Sequence, residues 1–198
     1  MNQESSLWER ITAISSGLLV ITAIVALVIA YRQIQESRDE ACINHLQDMV
    51  RQFNEPPVST SLRSLALKRV DQKQRTLRPL APDDAPTEMY DLMNFFETMG
   101  LYADRGFLDK KDIWHEFGWW LFNFYSDARP VVENEQKGNP VMFSHFSQLM
   151  KSLEKIENEN GGGKLNHPSP DELYVFYEAE IATPGEPIPH GRKKNVEH

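Results

Sequence analysis

ITAISSGLLVITAIVALVIAY, residues 11–31, runs for 21 positions without a charged side chain. A bilayer core offers no water to backbone N–H and C=O groups, so a lone segment crossing it must be a helix. At about 1.5 Å per residue the stretch reaches roughly 31 Å, close to the ~30 Å of hydrocarbon. Arg10 and Arg32 bound it, and Trp8 and Tyr31 stand near its ends, where amphipathic rings favour the headgroup level. A cleaved signal peptide fits poorly. Its apolar region would be shorter, and Tyr31-Arg32-Gln33 makes a poor cleavage site. The sequence therefore predicts an uncleaved transmembrane helix over residues 11–31, behind a short flank of residues 1–10.

Orientation follows from lysine and arginine on the two flanks. Arg10 precedes the span, whereas Arg32, Arg38 and Arg51 follow it. That predicts an outside N-terminus and a cytoplasmic C-terminal domain, a single-pass protein of the bacterial inner membrane. The single cysteine, Cys42, agrees, since one thiol makes no internal disulfide. Thr22, Ala26 and Ala30, and separately Ala13 and Gly17, recur every four positions, a spacing that would permit a homodimer through the span.

The remainder is long enough for one domain with its own core. The net charge is −8, which disfavours nucleic acid as a partner, because affinity there comes mainly from neutralising phosphates. Charge is uneven. Residues 55–78 carry six basic side chains (Arg63, Lys68, Arg69, Lys73, Arg75, Arg78) against Glu55 and Asp71, a net of +4. Residues 79–136 carry twelve acidic and four basic side chains, a net of −8. The basic segment either lies against an anionic leaflet as a lipid-surface scaffold or neutralises the acidic body of its own domain.

The rest reads as helices, so the fold class is all-α. The span continues into a cytoplasmic bundle of four to five helices over residues 32–160. Residues 161–198 are expected to form a glycine hinge, a short helix and a disordered tail. Cys42, Leu46, Met49 and Phe53 form one apolar seam, stopped by Pro56-Pro57. A second helix is expected over residues 59–77 and a third over 86–104. Asp109 is suited to N-cap the fourth, with Gly106 ending the third. Residues 107–125 hold eight aromatics, with Trp119 and Phe122 pointing away from the face built by Ile113, Phe117, Trp120, Leu121 and Phe124. Such a two-sided helix is either central to the domain or shows one face to a protein partner, which makes Trp119 and Phe122 candidate partner-facing residues. Arg129-Pro130 is expected to kink or end this helix. Asn139-Pro140 reads as the start of the next.

Catalytic spacing is absent. No phosphate-binding glycine loop, zinc spacing or nucleophile elbow occurs, so no cofactor or metal is expected. Glu116, Asn123 and Asp127 make a polar stripe, read as a solvated face before a general acid–base pair. The alternative is a membrane-tethered, hydrolase-like enzyme using Glu97, His115 or Glu116.

Within residues 91–129, Asn94-Phe95-Phe96-Glu97, Gly100, Arg105-Gly106 and Phe107-Leu108-Asp109 form a pattern. It resembles a family of uncharacterised bacterial single-pass membrane proteins, a domain of unknown function. The resemblance implies a helix–turn–helix unit and carries no catalytic residue. Glu97, Gly100, Arg105, Gly106, Asp109 and Arg129 are candidates for a structural motif, with Glu97 expected to meet Arg105 or Arg129. The overall expectation is a non-enzymatic, membrane-anchored helical module that binds a partner or senses a signal at the cytoplasmic face.

Overall fold

A computed structural model describes the backbone of residues 3–182 and the side chains of residue 19 and residues 21–182. The chain is mostly helical. Among the described residues the elements are α1 (Gln3–Asn54), α2 (Val58–Arg69), β1 (Val70–Asp71), β2 (Thr76–Leu77), α3 (Thr87–Asp104), α4 (Lys110–Gly138), α5 (Ser144–Ile156) and α6 (Pro170–Ala182). A 3-10 turn, Pro82–Asp84, precedes α3, and a π-helical turn, Glu157–Gly161, follows α5. The tail expected to be disordered, residues 183–198, lies outside the described residues.

The chain divides into two compact units, Met1–Ala41 and Cys42–His198. In the first, the described part of the apolar stretch is helical and its side chains face outward. Among the described residues no helix is long and apolar enough to cross a membrane. The side chains of residues 11–18 and 20, part of the expected span, lie outside the described set.

In the second unit, Met49 and Phe53 of α1 are buried. Phe53 meets Phe95, Phe96, Phe117 and Trp120 with ring centroids 5.2–6.2 Å apart. Phe96 in turn stacks on Phe146 at 5.5 Å. Each buried ring of this kind stabilises by about 1.5–3 kcal/mol through burial alone.

Two helix boundaries differ from the sequence expectation, and a third helix continues past its proline. The second helix ends at Arg69, not Leu77, because a hairpin replaces its last two turns. The Asp71 carboxylate accepts from the backbone N–H of Lys73 (2.9 Å) and Gln74 (3.2 Å), which closes a turn instead of a helix. Val70 pairs with Leu77 and Asp71 with Thr76, antiparallel. The fourth helix runs through Pro130 to Gly138. An interior proline costs about 3 kcal/mol, but Ala128, Val131 and Val132 beside it are almost fully buried and offset that cost. The fifth begins at Ser144, not at Pro140. Asn139 heads a turn, accepting from Val141 N and Met142 N, and Phe143 takes a left-handed conformation.

Gly161-Gly162-Gly163 folds back on the end of α5. The backbone N–H of Gly163 donates to the Glu157 carbonyl at 3.1 Å. A side chain at Gly161 would collide with the Glu157 carboxylate, which is buried and accepts from Trp114 Nε1 (2.9 Å) and Leu165 N (3.3 Å). The glycines wrap the chain round one buried acid.

Candidate functional site

Helices α3 and α5 pack face to face, and the pattern read in the sequence lies at their crossing. Glu97 caps α5. One carboxylate oxygen accepts from His145 N (3.2 Å), the other from Phe146 N (2.7 Å). The first N–H groups of a helix lack intrahelical partners and sit at its positive dipole end, so a carboxylate there is stabilising. Gly100, one turn on, makes room for this. A Cβ there would stand 2.5 Å from the His145 carbonyl oxygen. Glu97 therefore takes its partners from the α5 backbone, and the expected contact with Arg105 or Arg129 is corrected. Arg129 pairs with Glu133 at 2.7 Å, and Arg105 is exposed.

Beside this cap, His145 Nδ1 lies 2.8 Å from Asp104 Oδ2. Lys110 Nζ approaches Asp104 at 3.5 Å and donates to Ser152 Oγ at 3.2 Å. Gly106 adopts φ +73° after α3, and Asp109 caps α4 through Lys111 N (2.7 Å) and Asp112 N (3.3 Å). The motif thus joins α3 to α5 through the Glu97 cap, and Lys110 of α4 reaches Asp104 and Ser152 with its side chain.

The other candidates are dispersed. His115 and Glu116 are exposed on α4, whereas Glu97 is committed to α5. Phe122 is only 3% exposed. Trp119 is half-buried, with its ring 6.3 Å from Phe176. The partner-facing expectation is corrected for Phe122, which lies in the core, whereas Trp119 sets its half-buried ring against Phe176 of α6. The stripe Glu116, Asn123, Asp127 is not one solvated face either, since Asn123 and Asp127 are buried. Among the described residues no group of three or more His, Cys, Asp or Glu could hold a metal ion.

Sequence reasoning missed a buried ionic network. Arg69 binds Asp127 through two bonds, Nε to Oδ2 at 2.8 Å and Nη2 to Oδ1 at 2.6 Å. Tyr177 donates its hydroxyl to the same Asp127 Oδ2 at 2.8 Å. Arg69 Nη1 also donates to the Arg78 carbonyl, and Arg78 Nη1 donates to the Lys68 carbonyl at 3.0 Å. Burial pulls the Arg69 pKa down, but the bond and charge of Asp127 outweigh it and the net shift is upward. Full burial, then the neighbouring Asp127 charge, pushes the Tyr177 hydroxyl well above its ordinary value. The signal in the sequence was Asp127, which stands three residues beyond Phe124 of the apolar face of α4.

This network ties the β1–β2 hairpin to α2, α4 and α6. Over the hairpin lies an open groove of about 450 Å³, with Leu67, Val70 and Ile181 as apolar wall and Asp71, Lys73 and Arg78 as polar rim. Of the six basic side chains in residues 55–78, Arg69 is consumed internally and Lys68 pairs with Glu88 at 2.6 Å.

A family model described as a domain of unknown function (DUF4760) matches residues 20–153. No curated protein and no solved structure matches the chain.

Proposed function

The chain belongs to the DUF4760 family, and from that premise we propose that it is a membrane-anchored helical interaction module, with residues 11–31 as its span and the second unit on the cytoplasmic side. One observation carries this reading. Leu19, Ile21, Ile24, Val25, Leu27, Val28 and Ile29 of α1 are each 51–72% exposed. At 100° per residue they cover the whole circumference of the helix, and a helix apolar all round is one that lipid or protein surrounds. The described part of the stretch reaches only roughly 20 Å, and the uncharged residues 11–18 supply the remaining length. The enzyme alternative gains no support, because Glu97 already accepts two backbone N–H groups.

The test is extraction of membranes holding the full chain with alkaline carbonate. The chain is expected in the pellet, and its release to the supernatant would overturn the anchor. Cys42 is the sole thiol and reports the side. A membrane-impermeant maleimide is expected to label it only after the cells are permeabilised. Labelling in intact cells would place the second unit outside.

A further inference from the structure

We infer that the groove over the β1–β2 hairpin is a binding site for a phosphate-bearing amphiphile, with the anion on Lys73 and Arg78 and a short apolar tail against Leu67, Val70 and Ile181. The site lies wholly within the second unit, so its failure would leave the anchor reading intact.

The hairpin is built in advance. Asp71 holds the turn, its Oδ1 accepting from the N–H groups of Lys73 and Gln74, and its negative charge stays on the rim with the two cations, which leaves the charged side chains of the groove at a net +1. Arg78 is fixed on both sides, its carbonyl by Arg69 and its Nη1 by the Lys68 carbonyl, and its backbone N–H donates to the Arg69 carbonyl at 2.7 Å. Arg69 in turn is locked by Asp127 and Tyr177. A buried ion pair contributes little net stability compared with apolar packing. What this one supplies is a fixed position for the hairpin.

The chemistry of the rim then selects the ligand. The Lys73 ammonium has no partner among the described residues, and Arg78 keeps guanidinium donors beyond the one used on Lys68. A planar guanidinium and an ammonium lining one groove match a phosphate better than a neutral polar group. Yet the wall is apolar, and Leu67 is 52% exposed to it or to solvent. A bare phosphate would leave that wall wet. An anion with a tail covers it, and the volume lies within the range of about 300–1,000 Å³ of small-molecule sites.

The experiment uses the full chain in nanodiscs of phosphatidylcholine, titrated calorimetrically with hexyl phosphate, inorganic phosphate and hexanol. Hexyl phosphate is expected to bind more tightly than either fragment and to slow amide exchange over residues 70–78. Lys73→Glu is expected to weaken it about tenfold or more, the loss of one charge-assisted contact. Leu67→Gln is expected to lower its affinity towards that of inorganic phosphate. Lys151→Glu, outside the groove, is expected to leave it unchanged. Lys73 makes no side-chain bond, so its variant keeps the fold, checked by circular dichroism. Nanodiscs doped with phosphatidic acid distinguish the sources. Slowed exchange over residues 70–78 without added ligand identifies a lipid headgroup; slowing with hexyl phosphate alone identifies a free amphiphile. The inference is overturned if hexyl phosphate does not bind, if inorganic phosphate binds as tightly, or if Lys73→Glu and Lys151→Glu behave alike.

Discussion

A methyl group at position 100 would press on the α5 backbone and not on a side chain that can swing aside. Gly100→Ala is therefore expected to cost about 1–3 kcal/mol, the usual penalty for forcing extra volume between packed elements. Urea unfolding measures it, and an unchanged midpoint would show that α5 can move away. Glu97→Ala removes a helix cap and is expected to cost about 0.5–2 kcal/mol, with Glu97→Gln costing less. Both residues stand out in the sequence, but their roles do not, because the capped N–H groups are 48 and 49 positions away. By contrast the Asp109 cap involves neighbours two and three residues on, and is legible locally. Tyr90 gives a pH signature. Its hydroxyl donates to Glu135 Oε1 at 2.7 Å, and that bond, followed by partial burial, pushes its pKa up to about 12. The folded value is above the unfolded one, so this contribution is complete below about pH 10 and lost as pH rises through about 12. Tyr125, Tyr174 and Tyr177 shift in the same direction, so four tyrosines among the described residues oppose alkaline folding. Tyr90→Phe is expected to flatten the fall in urea midpoint between those pH values, and an unaltered slope would contradict the assignment.

At the scale of elements, the misread boundaries share one cause. Periodicity sees the apolar residues of one segment, whereas an element's end is settled by polar partners it meets in the folded chain. Leu77 continues the apolar spacing of α2, but Asp71 diverts the backbone into a turn first. Pro130 signals a kink or an end, and with core residues on both sides of it α4 continues beyond it. The loop after α5 is the best place to test such a partner. Gly161→Ala would push on the Glu157 carboxylate, buried with 1% exposure and bonded to Trp114. Displacing it leaves an indole N–H without its acceptor, so a loss of about 1–3 kcal/mol is expected. Trp114→Phe removes the donor, and adding Gly161→Ala to it should cost less than Gly161→Ala alone. Additive losses in a double-mutant cycle would mean that the glycine serves some other contact.

For the molecule as a whole, the first unit exposes its described apolar side chains whereas the second buries most of its own. A fragment of residues 42–198 keeps Met49 and Phe53 and is expected to fold, with a helical circular dichroism spectrum, and to leave the membrane pellet. A fragment starting at residue 56 loses both and is expected to lose about 2–5 kcal/mol for each buried side chain removed. Equal stability of the two fragments would show that the end of α1 is not part of the core. The ionic network belongs to this scale too, because it joins α2, α4 and α6. Asp127→Ala strands the Arg69 charge in the interior and is expected to cost about 3–5 kcal/mol. The sequence contained every member of it, but nothing in local spacing brings Arg69, Asp127 and Tyr177 to one point. The same interior equips the chain with optical reporters. Trp114 donates to Glu157 and Trp120 to Glu180, each acid buried, and Glu180 lies on α6. Each indole is thus wired to a different part of the second unit. In variants that keep only Trp114 or only Trp120 of the four tryptophans, emission should change when that part alone opens, so loosening of the loop after α5 and undocking of α6 can be followed separately without a dye.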